Sequence, residues 1–203
     1  MSLFKSTDVE VADIKTDTEP VVESENVEES TLIGNDLVLF NHLYKGSFTE
    51  GECISYMSNG NWSMYHLAEY ILQEIGPCDV YIATWSISEF SARKLVQWLD
   101  EGKIRNLYAL FDFRSKNRHP SAFHLAKHSF SKVKIALCHA KVSVFVSAQE
   151  DADQKRYISI NGSPNWTENP RIESGVVLCS KQTANMHIKW IMEMINKGAY
   201  ELE

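Results

Sequence analysis

CHAKVSVFVSAQEDADQKRYISINGSPNWTENPRIESG, the stretch from Cys138 to Gly175, is the part of the chain that the rest is arranged to deliver. An apolar run from Val133 to Leu137 leads into His139 and Lys141, two residues apart. In a strand, residues i and i+2 point to the same face, so this spacing projects the two side chains together. One is then a nucleophile or acid/base and the other a fixed positive charge. A second run, Tyr157 to Ile160, leads into Asn161-Gly162-Ser163-Pro164-Asn165. The glycine permits a sharp turn, and Ser163 and Asn165 add a hydroxyl and an amide at the end of that strand. Glu173 follows eight residues after Asn165. A His, a Lys, an Asn, a Ser and a Glu, with no Cys or Asp set at ligand spacing, suggest a phosphate-handling site without metal.

This pattern resembles the half-signature of the phospholipase D-like (HKD) superfamily: His-x-Lys, an intervening hairpin, Gly-Ser-x-Asn and a downstream Glu. The matching residues are His139, Lys141, Gly162, Ser163, Asn165 and Glu173. The chain departs from the pattern at Val146, where the family usually has an Asp five residues after the Lys. Some phosphodiesterases of the superfamily lack that Asp too. The resemblance implies that two half-signatures face each other in a complete site. This chain holds one, so the expectation is a homodimer with a single composite site on its two-fold axis. One His139 would attack phosphorus and form a phosphohistidine, and the other would protonate the leaving oxygen and then activate water. Lys141 and Asn165 would hold the non-bridging oxygens, with Ser163 as a further donor. Glu173 would fix the imidazole tautomer. The scheme requires no metal and no cofactor.

Charge is distributed unevenly. Residues 1–30 hold nine acidic side chains (Asp8, Glu10, Asp13, Asp17, Glu19, Glu23, Glu25, Glu28 and Glu29) against Lys5 and Lys15. That difference equals the whole-chain charge of −7, leaving 18 acidic and 18 basic residues in the remainder. Residues 1–36 therefore read as an acidic, disordered tail, either a solvating linker or an arm for a protein partner. Residues 37–203 read as the globular domain. The start of the chain lacks the apolar core of a signal peptide, and no run approaches the roughly 20 apolar residues of a membrane span. Cys53, Cys78, Cys138 and Cys179 are widely spaced, as structural thiols of a reducing compartment are. The expectation is a cytoplasmic protein that does not engage membranes.

From residue 37 strand-like and helix-like runs alternate. Strands are expected at Leu37–Phe40, Cys53–Tyr56, Asp79–Trp85, Leu107–Phe113, Val133–Leu137, Val142–Val146, Tyr157–Ile160 and Gly175–Leu178. Helical spacing appears over Trp62–Ile75, from a Ser88 cap to Asp100, from Pro120 or Ser121 to His128, and over Ala184–Lys197. This order predicts an α/β fold, a mixed sheet flanked by helices on both faces, which is also what the resemblance implies for one half of the family's architecture.

Arg114, Lys116, Arg118 and His119 form a basic loop at a strand end, suited to a polyanionic backbone. Lys132, Lys134, Lys155 and Arg156 are candidates to extend it. Trp166, beside Asn165, either packs under the site or stacks on a base. His124 and His128 stand at i, i+4 without the Glu that a zinc helix of a metalloprotease places between them. The leading expectation is a metal-independent phosphodiesterase acting on nucleic acid as an endonuclease, with DNA favoured over RNA. The alternatives are a catalytically inactive dimer that binds nucleic acid or a protein partner, and a phospholipid phosphodiesterase or transferase.

Overall fold

The computed structural model describes residues 22–25, 48–60, 62–149, 155–168 and 170–197. Its strands are β1 (Val22–Glu25), β2 (Cys53–Asn59), β3 (Cys78–Thr84), β4 (Ile104–Asp112), β5 (Lys132–Ala136), β6 (Val142–Ser147), β7 (Tyr157–Gly162) and β8 (Ile172–Cys179). Its helices are α1 (Met64–Ile75), α2 (Glu89–Asp100), α3 (Ser115–Arg118), α4 (Pro120–Ser129) and α5 (Lys181–Asn196). The strands form one sheet in the order β1-β2-β8-β7-β6-β3-β4-β5. β3, β4 and β5 run parallel, joined by crossover helices, and every other pairing is antiparallel. The mixed sheet with helices on both faces is as expected.

Local chemistry explains the elements. Ser88 caps α2 by accepting Ser91 N–H at 3.2 Å, and Ala92, Leu95 and Trp98 turn inward at helical spacing. β3 is buried on both faces, as a central strand must be. Ile82 and Val80 look toward the core shared with α1, α2 and α4, while Ala83 joins the core under α5. Ser180 caps α5, whose Ala184, Ile191 and Ile195 close the second face.

Three differences from the sequence reading matter. β8 starts at Ile172 rather than Gly175, because β2 extends to Asn59 and supplies pairing partners for Ile172 to Ser174. The basic stretch expected as a loop contains the short helix α3. Within the segment expected to lack structure, Val22–Glu25 pair with β2 at the sheet edge. The rest of residues 1–36, and the strand expected at Leu37–Phe40, lie outside the described residues. Among the described residues no helix is long and apolar enough to cross a membrane.

Candidate active site

The carboxyl ends of β3, β4 and β5 lie along one edge of the sheet. Antiparallel pairing brings the starts of β6 and β8 and the ends of β2 and β7 to that same edge. Loops at the carboxyl ends of parallel strands are where α/β sheets hold their ligands.

Residues 137–141 leave β5 at the outer margin and must reach β6, on the far side of β4 and β3. They cross both strand ends on the way. Phe113 N–H donates to Ala136 O at 2.9 Å, and Cys138 N–H donates to the Asp112 carboxylate at 3.3 Å. The His139 ring then meets Trp85 with centroids 5.9 Å apart. Lys141 closes the connector, its Nζ donating to His139 O at 3.3 Å. His139 and Lys141 thus sit on a crossing connector and not on a strand. Their approach to one another comes from that path, not from strand alternation. His139 is exposed and Lys141 half-buried.

The second half of the motif arrives from β7. Gly162 N–H donates to Lys141 O at 3.4 Å, tying the two halves together. Asn165 is held from β3, with the Thr84 hydroxyl donating to its Oδ1 at 3.2 Å. This leaves the amide NH2 as the end that donates to a ligand. The Ser163 hydroxyl donates to Glu173 Oε2 and accepts Ser174 N–H at 3.0 Å. Thr84 and Trp85, consecutive residues at the end of β3, therefore touch Asn165 and His139 respectively.

The Gly of Gly-Ser-x-Asn has a different role from the one its sequence suggests. Gly162 lies in strand β7, outside the positive-φ residues, so no sharp turn requires it. It faces Gly175 across the β7–β8 pair, and Tyr56 of β2 lies over both. A Cβ on Gly162 would stand 2.6 Å from Ser174 O, and one on Gly175 would stand 2.6 Å from the Tyr56 hydroxyl. The glycines are there for close approach. The Tyr56 hydroxyl is buried with no hydrogen-bond partner among the described residues. Burial, reinforced by the Glu173 carboxylate, pushes this phenol far above its usual range, so it stays protonated.

Asp112, 1% exposed at the end of β4, organises the cationic side. Burial alone would raise its pKa. Hydrogen bonds from the Arg114 side chain (Nε–Oδ1 2.6 Å) and from the backbone N–H groups of Arg114 and Cys138 outweigh it and hold the carboxyl below its ordinary value. The guanidinium of Arg114 lies 5.5 Å from the Trp85 ring centroid and that of Arg118 4.5 Å from it, so Trp85 carries two cations beside His139. Lys116 is exposed on the same short helix. Burial raises the Cys138 thiol, which makes this neighbour of His139 a poor nucleophile.

Other candidates lie elsewhere. Trp166 is 1% exposed, with its Nε1–H donating to Ser143 Oγ at 3.0 Å, so it packs beneath the site and has no face for a base. Val146 pairs with Asp79 near the start of β3, at the opposite end of β6 from Val142 and the motif. Lys132, Lys155 and Arg156 also belong to that opposite end, at or just before the starts of β5 and β7, and do not extend the basic group. His124 and His128 are exposed on α4. Sequence reasoning missed Thr84, Trp85 and Asp112. Their available signal was polar or amphipathic side chains ending apolar strands, in Ala83-Thr84-Trp85 and in Phe111-Asp112-Phe113-Arg114.

No protein-family description matches the chain, and no curated protein does. Among solved structures it is similar to a phospholipase D family member, Nuc from Salmonella typhimurium, at 14% identity and a TM-score of 0.44, over 65% of this chain and 88% of that one. It is also similar to polyphosphate kinase from Porphyromonas gingivalis, at 11% identity and a TM-score of 0.51, over 72% of this chain. It spans 27% of the length of that kinase. At such identities the likeness concerns the course of the backbone. The chain shares its backbone fold with the part of that kinase which it spans.

Proposed function

We propose that the chain is a metal-independent phosphodiesterase, an endonuclease with DNA favoured over RNA, working through a phosphohistidine at a composite site between two copies. The observation that carries this reading is the convergence of both motif halves on the end of β3, through Thr84 to Asn165 and Trp85 to His139. In the reaction, a nitrogen of one His139 bonds to phosphorus as the bond to the leaving oxygen breaks. His139 of the second copy gives that oxygen its proton. Water then attacks phosphorus, breaks the P–N bond and returns a proton to the second copy's His139. Lys141 and the Asn165 amide supply donors for the charge that develops on the non-bridging oxygens. Glu173 accepts from Ser163, and in this reading it also accepts from a His139 imidazole and fixes its tautomer.

Two observations favour the composite arrangement. One chain offers a single His-x-Lys that is followed by Gly-Ser-x-Asn, and Leu137 (71% exposed) and Ile172 (52% exposed) present apolar side chains at the edge that carries the motif. Arg118 on Trp85 and the exposed Lys116 suit a phosphate backbone. The position of Val146 weakens the case for an inactive relative, because a side chain at the far end of β6 takes no part in phosphoryl chemistry.

The test is cleavage of single- and double-stranded DNA and RNA in excess EDTA by wild type and His139→Ala. Cleavage by wild type that falls at least about a thousandfold in the variant is the expected result. Equal cleavage by both proteins would sink the proposal.

A further inference from the structure

The connector that carries Ser163 and Asn165 also builds a second feature. Past the buried Trp166 it turns through Glu168 and Pro170 before entering β8. Pro170 lies so close to Gly60 that a Cβ there would overlap the proline carbonyl. This contact walls a cleft of about 290 Å³ whose lining includes Ser63, Tyr65, His66 and Glu168. The volume falls at the small end of ligand pockets, enough for one flat ring system. Asn165 and Glu168 are three residues apart, a span of at most about 10 Å, which is the scale of a single nucleotide.

The chemistry of the cleft is that of a base pocket. Phe90, 42% exposed, meets Tyr65 edge-on at 5.1 Å, and Tyr65 lies against His66 at 3.9 Å. Such aromatic surfaces are what nucleobases stack on. His66 Nδ1 accepts Ser63 N–H at 3.0 Å, so the neutral ring carries its proton on Nε2 and donates there. Burial lowers the pKa of this histidine, which favours the neutral form. Glu168 is exposed, and an ionised carboxylate offers acceptors alone. A carboxylate and a donor together match a pairing edge with two adjacent N–H groups and one carbonyl. Guanine has that edge through N1–H, N2–H2 and O6.

We propose that this cleft is a nucleobase subsite that receives a base flanking the scissile phosphodiester and prefers guanine. Its place in catalysis rests on the phosphodiesterase reading, but the binding test below does not. Equilibrium binding of GMP, AMP, CMP and TMP to the full chain is measured by calorimetric titration, for wild type and Glu168→Gln. GMP is expected to bind about tenfold more tightly than the others, the size of one bidentate base contact. Glu168→Gln is expected to bring GMP to the level of the other three, with the thermal midpoint unchanged. Equal affinities for all four, or no binding at millimolar concentration, overturn the subsite. A chain that selects GMP but cuts no diester keeps the subsite and refutes the phosphodiesterase. One that cuts diesters with no base selection does the reverse.

Discussion

Thr84 shows how much of this site depends on single buried hydroxyls. It is 1% exposed, and its Oγ lies 3.2 Å from Asn165 Oδ1 and 3.0 Å from Ser86 O. Thr84→Val keeps the shape and removes the tether. Steady-state kinetics on a diester should then show kcat reduced about tenfold with KM little changed, and a thermal melt should show a loss of about 1 kcal/mol. An unchanged kcat would show that Asn165 is positioned without this bond. Gly162 and Gly175 make a second argument at this scale. With backbone oxygens 2.6 Å from either added Cβ, Gly162→Ala and Gly175→Ala should each cost about 1–3 kcal/mol in urea denaturation. Tyr56→Phe should be neutral or stabilising, since it removes a buried hydroxyl with no hydrogen-bond partner among the described residues. A large loss on Tyr56→Phe would reveal a partner for that hydroxyl.

At the scale of elements, the end of β4 and the start of α3 act together. Asp112 takes hydrogen bonds from the first residue of that corner, Arg114, and from Cys138 on the crossing connector. The structure thereby links β4, α3 and the segment bearing His139 through one carboxylate. Its pKa is lowered in the fold, so folding favours the ionised form. The stabilisation is present above the unfolded carboxylate pKa of about 3.9 and is lost as pH falls through the lower folded value. Asp112→Asn should flatten the acid limb of stability against pH and cost about 1–3 kcal/mol at neutral pH. Guanidinium titrations at several pH values measure both effects. An acid limb identical to wild type would remove Asp112 from this role.

At the scale of the whole molecule, the composite site makes a prediction about mixtures. If both histidines of a dimer serve one site, a heterodimer with a single His139 is inactive. When wild type is unfolded and refolded with an equal amount of His139→Ala, about a quarter of all dimers should be active, and at fixed total chain the activity should follow the square of the wild-type fraction. Activity proportional to that fraction would mean that each chain holds a complete site. The exposed Leu137 is the natural second probe, because Leu137→Glu places a charge on the apolar edge with little cost to the fold. Sedimentation of that variant as monomer, with activity lost, is the matching outcome.

Periodicity and capping residues made most of the fold legible. Ser88, Gly76-Pro77 and the apolar run of β3 mark their elements because local backbone preferences decide them. The motif residues were legible for a different reason: His, Lys, Ser, Asn and Glu in that order are chemically specific wherever the backbone carries them. What the sequence by itself determined, then, was the α/β class and the set of groups proposed to react. Tertiary structure alone decided how they meet. β5 at the margin and β6 at the centre oblige residues 137–141 to cross two strand ends, and that crossing sets His139 against Trp85. The same topology buries Trp166, leaves Val146 at the wrong end of its strand, and makes Gly162 a matter of contact with Gly175 and Tyr56. None of these follows from spacing along the chain, because each depends on which strand lies beside which, and long-range pairing is a property of the whole sheet.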